Sequence, residues 1–255
     1  LMTRDTYGLP ADIRLIDDMH LGHPHVVGTY LLLGDEPAIV DPGPASVLPA
    51  LEAGLAAHGV ALADLQAVLL THIHLDHAGA TGSLVRYFPH LKVYVHHRGA
   101  PHLIAPDKLL RSAARIYGGQ MDYLWGEFLP VPADTITTLG GGESVRLGRR
   151  ALSVYDAPGH ASHHVMYLED ASGVAFVGDT MFAMGCGRVI EGTHALLAVG
   201  AILRHPLTSE HAKSDGLAEG ARTTAAIAAS RFGPVLKVSE DGLTTFYDGG
   251  RIWDL

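Results

Sequence analysis

The sequence contains very little cysteine, no long apolar run and few basic residues. The single cysteine, Cys186, excludes a disulfide within the chain and fits a reducing compartment. No apolar run approaches the length that spans a bilayer, and no basic start leads into an apolar segment, so we expect a cytoplasmic protein without a membrane partner. Lys and Arg number 18 against 27 Asp and Glu, a net charge of −9 with neutral histidines, which predicts no nucleic-acid partner.

Apolar residues, by contrast, are plentiful. They make up 47% of the 255 positions, which is enough for a substantial core, and charged residues make up 18%, which is low for a disordered chain. The length alone fits one large domain or two small ones. Because no linker, repeat or low-complexity segment interrupts the sequence, we expect a single domain over residues 1–255. Short β-prone runs alternate with segments of helical periodicity, which predicts a layered α/β architecture.

A dense cluster of potential metal ligands follows a short apolar run, residues 67–70, that predicts a buried strand. His72, His74, Asp76 and His77 lie within six residues there. In an extended exit from a strand His72 and His74 point the same way, because side chains alternate with a period of two. Nitrogen and oxygen ligands crowded at a strand end favour a borderline or hard divalent metal. A histidine-rich surface loop is the alternative, and the spacing of four potential ligands favours the metal site.

Two later motifs give this cluster a family context. Residues 157–160 read Ala-Pro-Gly-His and end in His160, and a Gly-Asp pair, Gly178 and Asp179, closes a β-prone run. In type and order the three motifs resemble the metal-binding signature of the metallo-β-lactamase fold hydrolases. The resemblance covers about residues 26–190 and implies a four-layer αββα sandwich, with the metals at the edge where both sheets end.

The resemblance also implies that the ligands are divided between two divalent ions. The first ion is expected to bind His72, His74 and His160. The second is expected to bind Asp76 and His77, and Asp179 is expected to bridge the two ions. Such a pair is expected to supply a metal-bound hydroxide at neutral pH and to polarise a substrate carbonyl. Asp76 is the predicted catalytic residue, which orients the nucleophile and passes a proton to the leaving group. Zinc is the default ion for a nitrogen-rich site, and iron and manganese are the alternatives.

Members of the family normally supply one more histidine to the second ion, from a turn after the bridging aspartate. His194, His205 and His211 are the histidines that follow Asp179. We predict His211 as this ligand, because its distance from Asp179 along the chain is closest to the family's habit. His205 and an empty position remain alternatives, and His194 is predicted instead to begin a helix.

Two segments bear on the substrate. Residues 185–193 resemble the corresponding segment of glyoxalase II, the hydroxyacylglutathione hydrolases, which implies that Arg188 helps to hold the carboxylate of glutathione. Against this, Ile190 stands where those enzymes have a tyrosine.

A helix-prone segment at residues 98–132 is expected beside the cleft. We predict that its Tyr117 and Trp125 form an apolar wall for the substrate, with an ordinary core position as the alternative.

Two residues near the start of the chain have predicted structural roles. Asp41 lies in an Asp-Pro-Gly turn after a predicted strand, and it either orients a ligating imidazole or serves only to form the turn. Ser46 is the predicted N-cap of a helix that extends to residue 58, because apolar residues recur there at helical spacing.

These motifs favour hydrolysis of an ester-like carbonyl in a small-molecule substrate, either a thioester, as in glyoxalase II, or a lactone. Hydrolysis of a phosphodiester, a phosphotriester or a β-lactam is an alternative, because related metal pairs serve these centres. A metal-binding protein with little turnover is the non-enzymatic alternative, which an empty last-ligand position would favour. The sequence leaves the oligomeric state open.

Overall fold

The chain divides into two compact units along the sequence, Leu1–Gly178 and Asp179–Leu255. A computed structural model describes residues 9–180 and, beyond them, the backbone of five strands. The expectation of a single domain over residues 1–255 stays a prediction. Within the described residues, no helix has both the length and the apolar character that crossing a membrane requires.

The first sheet forms because short apolar runs place their side chains alternately on two buried faces. Its six strands lie side by side in sequence order: β1 Ile13–Asp17, β2 Gly28–Leu32, β3 Ala38–Val40, β4 Ala67–Leu69, β5 Lys92–His96 and β6 Ile136–Leu139. β1 to β3 pair antiparallel, and β3 to β6 pair parallel. In β4, Val68 packs on one face and Ala67 and Leu69 pack on the other, and none is more than 1% exposed. Burial on both faces explains why β4 is apolar at every position.

The second sheet packs against the first through one shared apolar cluster. Its four strands are antiparallel, in the order β10-β9-β8-β7: β7 Ser144–Leu147, β8 Arg150–Asp156, β9 Val165–Glu169 and β10 Ala175–Phe176. Leu69 of the first sheet shares this cluster with Val154, Tyr167 and Phe176 of the second. The buried hydroxyl of Tyr167 donates to the carbonyl of Leu70 at 2.8 Å, which joins the two sheets at the point where β4 ends.

Helices cover the other face of the first sheet: α1 Leu48–Ala57, α2 Leu75–Ala78, α3 Thr81–Tyr87, α4 Ala100–Ile104 and α5 Asp107–Tyr117. A further helix, α6 Met121–Trp125, contacts residues 45–47. Leu55 of α1, Leu84 of α3 and Leu103 of α4 are at most 2% exposed and pack in one cluster with Val68. The helical character predicted for residues 98–132 is confirmed by α4, α5 and α6. Helices and two facing sheets thus supply three layers of the predicted αββα sandwich.

The N-cap prediction for Ser46 is wrong. Residues 45–47 form a 3-10 turn, and α1 begins at Leu48 without a side-chain cap. The Ser46 hydroxyl instead donates to the carbonyl of Leu124 at 2.8 Å. A contact distant in sequence therefore replaces the local cap.

The second unit is described by five strands: β11 Val189–Ile190, β12 Leu196–Ala198, β13 Val235–Val238, β14 Thr244–Asp248 and β15 Arg251–Asp254. β11 pairs with β12, and β13 to β15 form an antiparallel meander. The helix predicted from His194 is wrong, because residues 196–198 form β12. Residues 217–232, whose small side chains predict a helix, lie outside the described residues.

Candidate metal centre

The first ligands are delivered by the chain as it leaves β4. The strand is buried between parallel neighbours, and side chains that follow such a strand collect at the carboxyl edge of the sheet. His72 is completely buried, whereas His74 and His77 are half-buried. α2 begins at Leu75, so the chain changes from extended to helical between His74 and His77.

Three histidines from two distant segments converge at this edge. His72, His74 and His160 each offer one nitrogen, and these three atoms lie within 4.8 Å of one another. Nε2 of His160 is 2.8 Å from Nδ1 of His74, although the residues are 86 positions apart in sequence. His160 arrives from the turn that follows β8, as the order of the motifs predicts. The structure therefore brings together the three residues predicted to bind the first ion, and their assignment as ligands stays a proposal.

Of the residues predicted for the second ion, His77 and Asp179 lie in a second group of potential ligands, whereas Asp76 does not. His72, His77 and Asp179 also offer ligand atoms that lie within 4.8 Å of one another. Asp76 belongs to neither group; its Oδ2 lies 3.5 Å from Nε2 of His77, and its side chain is 41% exposed. His211 and Arg188 lie outside the described residues, so the last ligand and the glutathione contact stay predictions.

Asp41 holds His77 in one orientation. The carboxylate is 8% exposed, and its Oδ2 accepts a hydrogen bond from Nδ1 of His77 at 2.9 Å. It also accepts from the backbone N–H of Thr71 at 2.8 Å and from the Thr71 hydroxyl at 2.7 Å. Because Nδ1 of His77 carries the donated proton, Nε2 keeps the lone pair that a metal requires. Of the two interpretations of Asp41, this geometry favours the one in which it orients an imidazole.

Thr71 fixes which nitrogen of His72 carries the proton. Its hydroxyl has a single proton, which the bond to Asp41 uses. Nδ1 of His72, 3.1 Å from the same hydroxyl oxygen, must therefore be the donor, and the lone pair of His72 lies on Nε2. Burial, together with the neighbouring histidines, lowers the pKa of His72 far below its ordinary value, so the imidazole is neutral. A neutral imidazole with a fixed lone pair meets the requirement for a metal ligand.

A second layer of histidines packs against these rings. His164 is completely buried and stacks on His72 with ring centroids 4.8 Å apart. His163 lies nearly parallel to His72 at 6.3 Å, and burial lowers its pKa to about 4. His163 is therefore a neutral neighbour of the ligand rings and adds no positive charge near neutral pH.

Gly178 permits the close approach that this packing needs. A Cβ atom at this position would lie 2.4 Å from Oγ1 of Thr71 and 2.7 Å from Nε2 of His164, and the backbone φ is +46°. Only glycine combines this conformation with this approach at low cost. The Gly-Asp motif marked the position in the sequence, but the sequence carried no signal that Gly178 packs against Thr71.

The aromatic residues of the predicted substrate wall lie against each other. Tyr117 meets Trp125 edge to face at 5.1 Å, and His20 stacks on the same indole at 5.6 Å. Nε2 of His20 is 2.7 Å from the carbonyl of Leu124, which fixes the ring. The two aromatics thus form one structured cluster with His20, and their contact with a substrate stays a prediction.

Comparisons with known proteins agree with these motifs. The sequence matches the metallo-beta-lactamase superfamily over residues 24–228. A hydroxyacylglutathione hydrolase from Aeromonas hydrophila is 35% identical over 159 residues, which cover 62% of this chain and 47% of that protein. The chain therefore spans about half the length of the curated relatives it matches.

Solved structures show the same fold. An archaeal metallo-beta-lactamase superfamily protein from Sulfolobus tokodaii aligns with a TM-score of 0.53 and 25% identity, over 69% of this chain and 64% of that one. A metallo-beta-lactamase family protein from Thermus thermophilus aligns with a TM-score of 0.55 and 25% identity, over 68% of this chain and 60% of that one. The predicted fold class and the predicted family resemblance are confirmed.

Proposed function

The chain belongs to the metallo-β-lactamase superfamily, and from this premise we propose that it is a metal-dependent hydrolase of an ester-like carbonyl, with a thioester as the favoured substrate. The observation that carries the proposal is the convergence of His72, His74 and His160, whose donor nitrogens lie within 4.8 Å of one another. Three imidazoles that offer nitrogens this close together form a donor set that suits a zinc-type ion.

The donor atoms fit two divalent ions of the zinc type. His72, His74 and His160 would hold the first ion, and Asp76 and His77 would contribute to the second. Asp179 would bridge the two ions, and His211 would complete the second site. Imidazole nitrogens and carboxylate oxygens suit zinc, and iron and manganese are alternatives. When bound, such ions lower the pKa of water and polarise a carbonyl.

The chain's own residues supply orientation and proton transfer. Asp41 fixes the lone pair of His77, and Thr71 fixes that of His72. Neither imidazole therefore has to change its tautomer to bind a metal. Asp76, whose carboxylate is 41% exposed, can hold a proton from the nucleophile and pass it to the leaving group. A thiolate leaving group needs this proton less than an alkoxide does, because a thiol has the lower pKa.

The choice of a thioester draws on the curated relatives, which are hydroxyacylglutathione hydrolases. The likeness of residues 185–193 to glyoxalase II supports the same choice and makes Arg188 a candidate contact for the carboxylate of glutathione. A lactone is the second candidate within the same class, since it presents the same electrophilic carbonyl. The substrate would in either case be a small molecule.

A substrate panel with zinc-loaded protein tests the proposal. The panel contains a hydroxyacylglutathione thioester, a lactone, a β-lactam and a phosphodiester. We expect turnover of the thioester, and its loss by at least about a hundredfold in His160→Ala, because a change in the groups around a metal ligand already costs 10–100-fold. His58→Ala, which removes an exposed histidine outside the cluster, is the matched control. Full zinc occupancy without turnover of any substrate would point to a metal-binding protein instead.

The substrate wall has its own test. Tyr117→Ala and Trp125→Ala remove the edge-to-face pair from α5 and α6. We expect both variants to raise KM for the active substrate while zinc content stays at the wild-type level. Unchanged kinetics with every active substrate would exclude the wall and leave these residues as packing.

A further inference from the structure

A carboxyl group outside the ligand set is buried behind the Asp41 turn. Asp18 directly follows β1 and is 0% exposed. Its Oδ2 lies 2.8 Å from Oγ1 of Thr29, and its Oδ1 is buried without a hydrogen-bond partner among the described residues. An ionised carboxylate with one unsatisfied buried oxygen is expensive, whereas the carbonyl oxygen of a neutral acid tolerates this position better.

The count of protons at Thr29 leads to the same conclusion. Its hydroxyl oxygen is within hydrogen-bond distance of two oxygens, Oδ2 of Asp18 at 2.8 Å and the backbone carbonyl of Asp41 at 3.0 Å. The hydroxyl has one proton, and a backbone carbonyl can only accept. If Thr29 donates to Asp41, the proton between Thr29 and Asp18 must belong to Asp18.

We propose that Asp18 is a neutral carboxylic acid in the folded protein, and that its proton, donated to Thr29, makes Thr29 donate to the Asp41 carbonyl. Asp18 and Thr29 are then positioning residues for the Asp41 turn. Asp41 needs such support, because its backbone φ of +51° lies in the left-handed region that non-glycine residues avoid. The turn holds the carboxylate that orients His77, so the chain of hydrogen bonds extends from Asp18 to the candidate metal centre.

The electrostatic surroundings agree with a neutral Asp18. The pKa of Asp18 is raised to about 7: burial is the largest cause, the Thr29 hydrogen bond acts in the opposite direction, and the neighbouring charge of Asp17 adds to the rise. The other titratable groups on adjoining segments are His20, in the turn that follows, and Asp41. Nε2 of His20 is engaged with the carbonyl of Leu124, and the carboxylate of Asp41 with Thr71 and His77. Among the residues described here, none of these groups forms an ion pair with Asp18.

Asp18→Asn separates the two protonation states, because the amide reproduces the shape and the donor of a neutral acid but does not titrate. The full chain is unfolded by urea in excess zinc at several pH values, and the unfolding constant of the wild type is divided by that of the variant. Zinc loss affects both proteins and cancels in this ratio. A neutral Asp18 predicts that the ratio rises about tenfold per pH unit from about pH 5 to about pH 7 and then levels, since the unfolded carboxyl ionises near 4. A ratio that is flat over this range would overturn the proposal.

A second experiment tests the positioning role and does not depend on hydrolase activity. Zinc release to a chelator is measured for Thr29→Val, which removes the hydroxyl, and for Thr29→Ser, which keeps it. We expect release from the Thr29→Val protein to be about tenfold faster than wild type and Thr29→Ser to match wild type. If Thr29→Val does not fold, Asp18→Leu, which removes the donor and keeps the branching at Cγ, takes its place. Wild-type release from the variant that lacks the donor would refute the positioning role, even if the thioester proposal holds.

Discussion

Asp41→Asn is the substitution that most directly separates the two interpretations of Asp41. The carboxylate accepts three hydrogen bonds, from the Thr71 backbone at 2.8 Å, the Thr71 hydroxyl at 2.7 Å and Nδ1 of His77 at 2.9 Å. An asparagine keeps the size of the group but turns one of the two oxygens into an NH2 donor. Neither orientation of the amide can satisfy all three partners.

If the NH2 group takes the place of Oδ1, it faces the backbone N–H of Thr71, and two donors oppose each other in a buried site. If it takes the place of Oδ2, Nδ1 of His77 must become an acceptor, and the ring proton moves to Nε2, where the metal is expected. A hydrogen bond to a charged group is worth about 1.5–3 kcal/mol. The loss of such support around a metal ligand typically costs about 10–100-fold in affinity, or roughly 1.4–2.8 kcal/mol.

The assay is a zinc titration against a competing chelator, with circular dichroism to confirm that the variant is folded. We expect Asp41→Asn to bind the more weakly held zinc ion about 10–100-fold less tightly than wild type. Asp35→Asn makes the same chemical change on an exposed carboxylate paired with Arg149 and should leave both affinities unchanged. Zinc affinity of Asp41→Asn within about twofold of wild type would refute the reasoning and leave Asp41 as a turn residue.

Three further changes probe the site and the core. Gly178→Ala places a Cβ atom 2.4 Å from Oγ1 of Thr71, so we expect the free energy of unfolding in urea to fall by about 1–3 kcal/mol and zinc to bind more weakly. The control is Gly119→Ala, whose Cβ atom meets nothing within 4 Å and which should match wild type. Arg150→Met removes the ion-pair partner of the Glu169 carboxylate, whose side chain is 5% exposed. We expect it to lower the free energy of unfolding in urea by about 3–5 kcal/mol without changing zinc affinity. Removal of zinc by a chelator should lower the midpoint of thermal unfolding, and added zinc should restore it.

Each of these expectations has a result that contradicts it. Equal stability of the two glycine variants would mean that the Gly178 backbone does not approach Thr71 closely. Loss of zinc affinity in Arg150→Met would show that the Arg150–Glu169 pair reaches the metal centre. An unfolding midpoint that is independent of zinc would show that the folded chain has no preference for the ion.

The placement of His72 and His74 followed from local rules. β4 is a short run that is buried on both faces, and such a run implies a strand whose carboxyl end meets those of its parallel neighbours. The period of two then placed His72 and His74 on one side. His160 could be brought to the same edge only through the family resemblance, because no local pattern reports that the end of β8 lies beside the end of β4.

The groups that orient the ligands were harder to predict. Whether Asp41 reaches His77 depends on the pairing of β3 with β4, which places the turn after one strand beside the exit of the next. Thr71 is a common type of residue just after a strand. Its role can be recognised only when its single hydroxyl proton is assigned to the bond with Asp41, which leaves His72 as a donor to it. Asp18 and Thr29 carried no signal in the sequence, because two small polar residues at strand ends are common.

Two local predictions failed for the same physical reason. Ser46 had the composition of an N-cap, but its hydroxyl bonds Leu124, 78 residues away. The leucines and alanine of residues 196–198 favour a helix by intrinsic propensity, yet they pair with β11 as a strand. In both cases hydrogen bonding to another segment, 78 residues away for Ser46 and six to nine residues away for residues 196–198, outweighs a local preference of about 1 kcal/mol.

An anomalous difference map from crystals of the zinc-loaded protein measures most directly whether distant imidazoles share a cation. We predict a strong zinc peak coordinated by Nε2 of His72, Nδ1 of His74 and Nε2 of His160, with a second peak beside His77 and Asp179. Zinc bound elsewhere, with these three imidazoles free of metal, would contradict the assignment of the chain as a metal-dependent hydrolase.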